Sequence, residues 1–199
     1  PSCCGIEGIE DARRVAHTLG LKHYVLNFDQ ALEEKVIKNF ISEYLSGRTP
    51  NPCVRCNEYL KFERLLDKAK SLGAQYLATG HYAKIVHSPQ STVHSKKYLL
   101  KKGRDKYKDQ SYFLYRLKQE QLRHIMFPIG EYTKPQVREL AKKFGLHNSD
   151  KKDSQGVCFL GKIKLRDFLS SLRDDSSLSD GPIIDVHGNL LGYHDGLAH

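Results

Sequence analysis

Three observations predict an α/β fold with a doubly wound parallel sheet. Segments with apolar residues at helical spacing alternate with short runs of β-branched and aromatic residues. Glycine follows the helical segments where a helix C-terminus is expected. One short run ends in Thr79-Gly80-His81-Tyr82, and open α/β sheets bind ligands just beyond such strand ends. Alternation of this kind predicts parallel strands, because each helix carries the chain back across the sheet.

The first half of the chain predicts helices and strands in alternation. Ile9 to Leu19 has the spacing of an amphipathic helix that Gly20 ends, and Lys22 to Phe28 has the composition of a buried strand. A second helix is predicted over 31–45, with Gly47 after it. A third helix is predicted to begin near Asn57, which would cap it, and to end at Gly73 before a buried strand over 75–79.

The second half predicts a hairpin, three helices and a further hairpin. The turn of the last hairpin is predicted at Gly188-Asn189, and Tyr112, Phe113 and Tyr115 are expected to pack in the core. The predicted elements are strands over 82–86 and 98–102, a helix from Lys108 to Tyr115, a capping-box helix from Thr133 to Phe144, a helix over 163–172, a linker over 174–180 and a hairpin over 181–193.

Length, composition and charge limit the classes of protein to which the chain can belong. With 199 residues and 39% apolar content, the chain can bury one core of ordinary size together with an attached segment. The formal charge of +9 fits a polyanionic partner such as nucleic acid, and it also fits many proteins without one. Between Lys96 and Lys108 seven cations face one acid, Asp105. A nucleic-acid surface and a solvated hairpin remain equal interpretations of this run.

The cysteines point to reactive or metal-binding thiols. Cys53 and Cys56 stand at a predicted helix start, where unpaired backbone N–H groups and the helix dipole favour thiolate. Cys158 is far away in sequence, and Cys3 and Cys4 are expected to be incidental. An odd number of scattered cysteines does not suit a secreted disulfide framework. No run of roughly 18 apolar residues and no signal segment are seen, so we expect a cytoplasmic protein without a membrane partner.

Four ordered motifs carry a close resemblance to the tRNA-specific 2-thiouridylases. These enzymes replace oxygen with sulfur at C2 of the wobble uridine in certain tRNAs. The resemblance runs from about Gly47 to Gly161 and is weaker on both sides. Its motifs are Gly47-Arg48-Thr49-Pro50-Asn51-Pro52-Cys53-x-x-Cys56-Asn57, Ala78-Thr79-Gly80-His81-Tyr82, Lys108-Asp109-Gln110-Ser111-Tyr112-Phe113-Leu114 and Lys152-Asp153-Ser154-Gln155-Gly156-Val157-Cys158-Phe159.

The resemblance implies a PP-loop ATP pyrophosphatase fold, in which ATP with Mg²⁺ activates the C2 oxygen and a cysteine-bound sulfur displaces AMP. By position, Cys56 matches the nucleophile and Cys158 the thiol that carries the persulfide, and the two later form a disulfide. Gly80 matches a nucleotide contact. The expected tRNA contacts are His81, Lys108, Asp109 and Gln110, together with Asn51, Pro52 and Cys53 in the loop that touches the target base.

Two departures from the family pattern shape the remaining expectations. No Ser-Gly-Gly-x-Asp-Ser phosphate loop is present, so we expect the chain to be a fragment of a longer enzyme and inactive alone. Residues 1–173 would be its truncated catalytic domain, with a tRNA-contacting helical part over 108–173, and residues 181–199 would begin a β-barrel. Secondly, Cys53 stands where some members carry an acid. Cys53, Cys56 and Cys158 could therefore hold a four-iron, four-sulfur cluster that takes sulfide, instead of sulfur from a donor protein.

The alternative function is a nonenzymatic RNA-binding module in which Cys53 and Cys56 ligate zinc with two other groups. Zinc ribbons normally show a second close cysteine pair, and the adjacent Cys3 and Cys4 lack the two-residue spacing. The presence of a third thiol, Cys158, favours the sulfurtransferase, which uses it. Neither the zinc module nor other PP-loop enzymes, such as amidating synthetases, need a thiol at that position.

Overall fold

The computed structural model describes residues 5–88, 97–152, 156–161, 163–171 and 180–194. Within these ranges helices and short strands share one chain, which confirms the α/β class. In this part of the protein no helix is both long enough and apolar enough to cross a membrane.

The first helix follows the prediction, and the segment after it does not. A helix spans Ile6–Thr18, and Gly20 follows it with a φ of +66° that favours glycine. The strand predicted from Lys22 to Phe28 is wrong, because these residues are irregular and Tyr24 is exposed. No described strand pairs with them, and backbone groups of a strand need a ladder partner.

Residues 29–45 form one continuous helix, as predicted. A π-helical segment, Glu33–Ile37, separates the α-helical segments Asp29–Leu32 and Lys38–Leu45. The helix buries Phe40 almost completely on its inward side. This helix therefore presents a broad apolar face to the rest of the molecule.

Residues 52–71 form a second continuous helix, called the cysteine helix below. It consists of Pro52–Arg55, the π-helical segment Cys56–Leu65, and Leu66–Ser71. The prediction that it begins near Asn57 is wrong: Asn57 is buried inside the helix and caps nothing. The helix begins earlier because proline suits the first helical position.

The parallel pairing predicted for the sheet is found between two short strands. Strand β1, Leu77–Ala78, pairs in parallel with β4, Ile125–Met126, with Leu77 opposite Ile125. Among the described residues this sheet is two strands wide, narrower than the doubly wound sheet predicted. Strand β1 still ends two residues before Gly80, at the sheet edge where a ligand site was expected.

A hairpin and a compact core lie against this pair. Strands β2, Ala83–His87, and β3, Tyr98–Lys102, are antiparallel, as predicted. The cysteine helix, β2, β4 and the segment after β3 contribute the buried side chains of one cluster. Its fully buried members are Phe62, Ala83, Leu114 and Ile125.

The helix predicted from Lys108 is reduced to a single 3₁₀ turn, Ser111–Leu114. The expectation that its aromatic residues pack in the core is wrong for two of them, since Tyr112 is 64% and Tyr115 61% exposed. Leu114 takes the inward position instead. A turn this short presents one position to the core, and the tyrosines on either side of it face outward.

Of the remaining elements, the helix Gln119–Leu122 and the 3₁₀ turn Cys158–Leu160 were not predicted, and the others follow the predicted order. The capping box of Thr133 and Gln136 is confirmed, and the linker predicted over 174–180 lies almost wholly outside the described residues. The predicted domain limits, 1–173 and 181–199, stay a prediction. The elements are the helix Gln119–Leu122, the helix Lys134–Lys143, the 3₁₀ turn Cys158–Leu160, the helix Leu165–Ser170, and the antiparallel strands β5, Gly181–Ile184, and β6, Leu190–His194.

Candidate functional site

The start of the cysteine helix positions two thiols. Asn51 has extended backbone angles, and its side-chain oxygen accepts a hydrogen bond of 3.1 Å from the backbone N–H of Cys53. Pro52 is buried at the first helical position. Cys53 is exposed in the first turn, and Cys56 is half-buried where the helix changes from α to π. Asn51 and Pro52 thus fix the helix end that presents both thiols.

Cys158 is held against the helix of residues 29–45. It begins the 3₁₀ turn Cys158–Leu160, and the next ring, Phe159, makes an edge contact with Phe40 at 5.2 Å between centroids. The same helix is tied to the cysteine helix, because Arg55 Nε donates a 2.8 Å hydrogen bond to the carbonyl of Lys35. The segments that carry Cys56 and Cys158 therefore share one supporting helix.

The structure offers no ready metal site at these thiols. Among the described residues no three His, Cys, Asp or Glu side chains converge as metal ligands would, although Cys53, Cys56 and Cys158 are all described. The arrangement seen does not fit a three-cysteine cluster. The cluster stays a prediction from the resemblance, and no chemical step below depends on it.

Gly80 follows β1 with open space at its α-carbon. A Cβ built there would come no closer than 3.9 Å to Ile129, which is ordinary contact, and its φ is not left-handed. Neither packing nor backbone conformation requires glycine at this position. The absence of a side chain leaves room at the strand end, which is compatible with the nucleotide contact predicted there.

His81 is buried next to that glycine. It is 8% exposed, its ring centroid lies 5.7 Å from each of Phe62 and Phe127, and Nδ1 lies 2.8 Å from Thr79 Oγ1. Burial, and secondly the charge of Lys61, lower the pKa of His81 to about 4. The ring is neutral at pH 7. The tRNA contact predicted for His81 stays a prediction, and such a contact would be a hydrogen bond and not an ion pair.

This buried ring predicts acid sensitivity. The folded-state pKa lies below the unfolded value of about 6.5, so the unfolded chain binds more protons between these values. The neutral His81 ring contributes its full stabilisation of the folded state above about pH 6.5, and this contribution is lost as the pH falls toward 4. We expect urea denaturation to show a loss of about 2 kcal/mol between pH 7 and pH 5. His81→Gln should flatten this slope, and the exposed His17→Gln should not; equal slopes for both variants would contradict the assignment.

Of the three consecutive residues predicted to contact tRNA, Lys108 to Gln110, one side chain is exposed and two are anchored by hydrogen bonds. Gln110 accepts from the Tyr82 N–H at 3.0 Å and donates its own N–H to the Tyr82 carbonyl at 2.9 Å. The Asp109 carboxylate accepts from the Gly103 N–H at 2.7 Å. Lys108 is exposed. Asp109 and Gln110 hold the segment in place, and Lys108 is the member that faces solvent; as tRNA contacts, all three stay a prediction.

Asn57 is a site residue that the sequence reasoning missed. It is 3% exposed, and its Nδ2 donates to the carbonyl of Phe113 at 3.1 Å. Beside it, Arg116 Nε contacts Glu58 Oε2 at 2.5 Å. Two consecutive residues after Cys56 therefore fasten the cysteine helix to the segment that begins at Lys108. The available signal was an asparagine inside a helix, where it is a poor helix former.

Cys56 also lines an open cleft of about 510 Å³. Its walls come from the helix Ile6–Thr18, the irregular residues 23–28, the start of the helix of residues 29–45, and the cysteine helix. Polar groups at the cleft include His23, Asn27 and Lys61. A thiol beside a cleft with mixed apolar and polar walls can meet a small ligand or a nucleotide.

A comparison with protein families decides the relationship. The family described as tRNA methyl transferase HUP domain matches residues 1–162. The chain belongs to this family. Membership in the tRNA methyl transferase HUP domain family confirms the resemblance that the four motifs carry.

Curated relatives extend the match over the whole chain. The tRNA-specific 2-thiouridylase MnmA 1 of Caldanaerobacter subterraneus subsp. tengcongensis is 50% identical over 199 residues, which are 100% of this chain and 53% of that protein. The tRNA-specific 2-thiouridylase MnmA of Carboxydothermus hydrogenoformans is 50% identical over 197 residues, covering 99% and 53%. That of Acetivibrio thermocellus is 47% identical over 197 residues, covering 99% and 54%. The chain spans about half the length of these relatives.

Proposed function

We propose that this member of the tRNA methyl transferase HUP domain family is a tRNA-uridine 2-sulfurtransferase that thiolates the wobble uridine. Its relatives carry the name of that activity. The observation that carries the proposal is the placement of Cys56 and Cys158 on segments that pack against one helix, residues 29–45. Sulfur transfer between two thiols needs cysteines distant in sequence and held by a common frame.

The proposed chemistry uses both thiols. Cys158 carries the persulfide, whose outer sulfur passes to it from the persulfide of a sulfur-donor protein with release of the donor's thiol. Its outer sulfur attacks C2 of uridine, and the oxygen leaves with AMP. The Cys56 thiolate then attacks the inner sulfur of Cys158, which breaks the S–S bond and leaves the outer sulfur on the base. A Cys56–Cys158 disulfide remains, and a cellular dithiol reduces it.

ATP with Mg²⁺ would supply the activation that makes the C2 oxygen a leaving group. The open space at Gly80 and, separately, the cleft beside Cys56 each leave room for part of a nucleotide. The chain contains no Ser-Gly-Gly-x-Asp-Ser motif, so the residues that would cradle the triphosphate are not identified in it. The roles assigned to Asn51, Pro52, Cys53, Gly80, His81 and Lys108 to Gln110 are part of this proposal.

The alternatives have less support. A zinc-binding RNA module on Cys53 and Cys56 needs two further ligands, and no such group converges among the described residues. The same observation weighs against the cluster version of sulfur delivery. The zinc module also gives no role to Cys158, whose neighbour Phe159 packs against the helix that contacts the cysteine helix.

The test is genetic complementation. The complete gene that encodes this chain, expressed in a bacterial strain without its own 2-thiouridylase, is expected to restore 2-thiouridine in tRNA. Digested tRNA analysed by mass spectrometry measures the nucleoside. A strain that carries the empty vector is the control. Expression of soluble protein without any 2-thiouridine would contradict the proposed function.

A further inference from the structure

The surface of residues 97–118 is strongly positive because its two acids are turned inward. This stretch holds eight Lys and Arg residues, all exposed, against Asp105 and Asp109. Asp105 is buried and accepts from the N–H groups of Tyr107 at 3.0 Å and Lys134 at 2.9 Å. The backbone N–H of Lys134, and then those of Tyr107 and Lys108, hold the pKa of Asp105 below its usual range. Asp109 is likewise committed to backbone N–H groups.

Two exposed aromatic rings stand on this surface. The ring centroids of Tyr112 and Tyr115 are 6.1 Å apart and the ring planes are inclined by 38°. Phe113 packs against Tyr112 at 5.6 Å between ring centroids, and Arg116, the residue after Tyr115, is bonded to Glu58. These contacts restrict both rings while more than half of each remains exposed. Ring faces that are held in place and exposed can bind a flat partner at little entropic cost.

The tyrosine pair lies close to the reactive end of the cysteine helix. Phe113, between the two tyrosines, accepts the hydrogen bond from Asn57, the residue after Cys56. Arg116 and Glu58 add a second connection between the same segments. A group stacked on the pair would therefore sit beside the helix that carries the thiol.

We propose that Tyr112 and Tyr115, with the cations around them, form a stacking platform for unpaired nucleotides of an RNA. Bases offer flat π-faces that stack on aromatic rings, and their phosphates match the exposed cations of residues 97–118, of which Arg116 is bonded to an acid, Glu58. A regular duplex hides these faces, so the platform selects unpaired nucleotides. The inference rests on the proposed function only in identifying that RNA as tRNA.

Fluorescence anisotropy tests the platform with this chain and a labelled RNA stem-loop. Tyr112→Ala and Tyr115→Ala are each expected to weaken binding about 5- to 30-fold, whereas the phenylalanine variants should bind as the original chain does. The matched control is Tyr193→Ala, which removes a tyrosine that is 72% exposed on strand β6. Far-UV circular dichroism checks that each variant is folded.

Two further measurements separate stacking from charge. A blunt RNA duplex should bind the alanine variants and the original chain equally, because it exposes no base face. Lys106→Ala should lower the slope of log Kd against log salt by about 1, while the tyrosine variants keep the slope. Unchanged stem-loop affinity in both tyrosine variants would contradict the stacking platform. Binding of a protein partner would then be the role favoured for these exposed rings. Failed complementation with normal stem-loop binding would contradict only the proposed function.

Discussion

Replacing Cys56 or Cys158 with serine in the complete protein is expected to lower 2-thiouridine in tRNA by at least about 10³-fold. A serine hydroxyl can neither carry a persulfide nor attack a disulfide sulfur at neutral pH, so each variant loses a required step and not merely a rate. The complementation strain and nucleoside mass spectrometry provide the measurement. Cys158→Ser should also lose the persulfide that alkylation and mass spectrometry detect on the protein.

Cys53→Ser distinguishes the two versions of sulfur delivery, because Cys53 lies on the same helix as Cys56 and is exposed but carries no sulfur in the persulfide mechanism. Under the persulfide mechanism it should keep most of the activity. Loss of activity together with protein-bound iron would instead favour the cluster version. Normal thiolation in either Cys56→Ser or Cys158→Ser would show that sulfur does not pass through the proposed pair.

Gly130→Ala is expected to cost about 3 kcal/mol or more of the free energy of unfolding. A Cβ at this position would lie 1.9 Å from the carbonyl oxygen of Ala83, a fully buried residue of β2. The backbone cannot easily retreat, because the Gly130 carbonyl also accepts from the Arg104 N–H at 2.9 Å. Overlap with backbone on one side and a hydrogen bond on the other leave no room for the methyl group.

Urea denaturation of Gly130→Ala and Gly80→Ala, side by side, isolates this effect. At Gly80 the added methyl group meets Ile129 at ordinary contact distance, so stability should change by less than about 1 kcal/mol. The Gly80 variant should instead bind ATP more weakly in the complete protein. Equal loss of stability in the two variants would contradict the packing described around Gly130.

Elements whose signals are local could be predicted from the sequence. The helix Lys134–Lys143 has a capping box, a proline in its first turn and apolar residues at helical spacing, all within one segment, although none of its residues is fully buried. The hairpin of β5 and β6 likewise follows from a local turn, because Asp185 accepts from the backbone of His187 and Asn189 beside Gly188.

Elements that depend on distant partners could not be predicted. The run Lys22 to Phe28 has strand composition, yet strand structure requires a neighbour that no described segment supplies. The start of the cysteine helix was missed because Asn57 was assigned as the cap, although Asn51 directly before Pro52 is the stronger local signal. Only the fold shows that Asn57 donates to Phe113 instead.

The same division holds for the candidate site. The motifs named candidate site residues, but not which way each side chain faces. The resemblance implied one role for Lys108, Asp109 and Gln110, whereas the structure turns two of them toward backbone groups. Tyr112 and Tyr115 were expected inside, because aromatic residues are usually buried, and a single 3₁₀ turn leaves them outside.

The helix of residues 29–45 has a consequence for how inactive variants are interpreted. Its Phe40 ring contacts Phe159, which follows Cys158. Its Lys35 carbonyl accepts a hydrogen bond from Arg55, which precedes Cys56. Damage at Phe40 would displace both sulfur-bearing segments although no reactive atom had changed. A random mutagenesis screen would thus recover substitutions in this helix that abolish activity as substitutions of the thiols do. Their effect would come from movement of the supporting helix and not from loss of a reactive group.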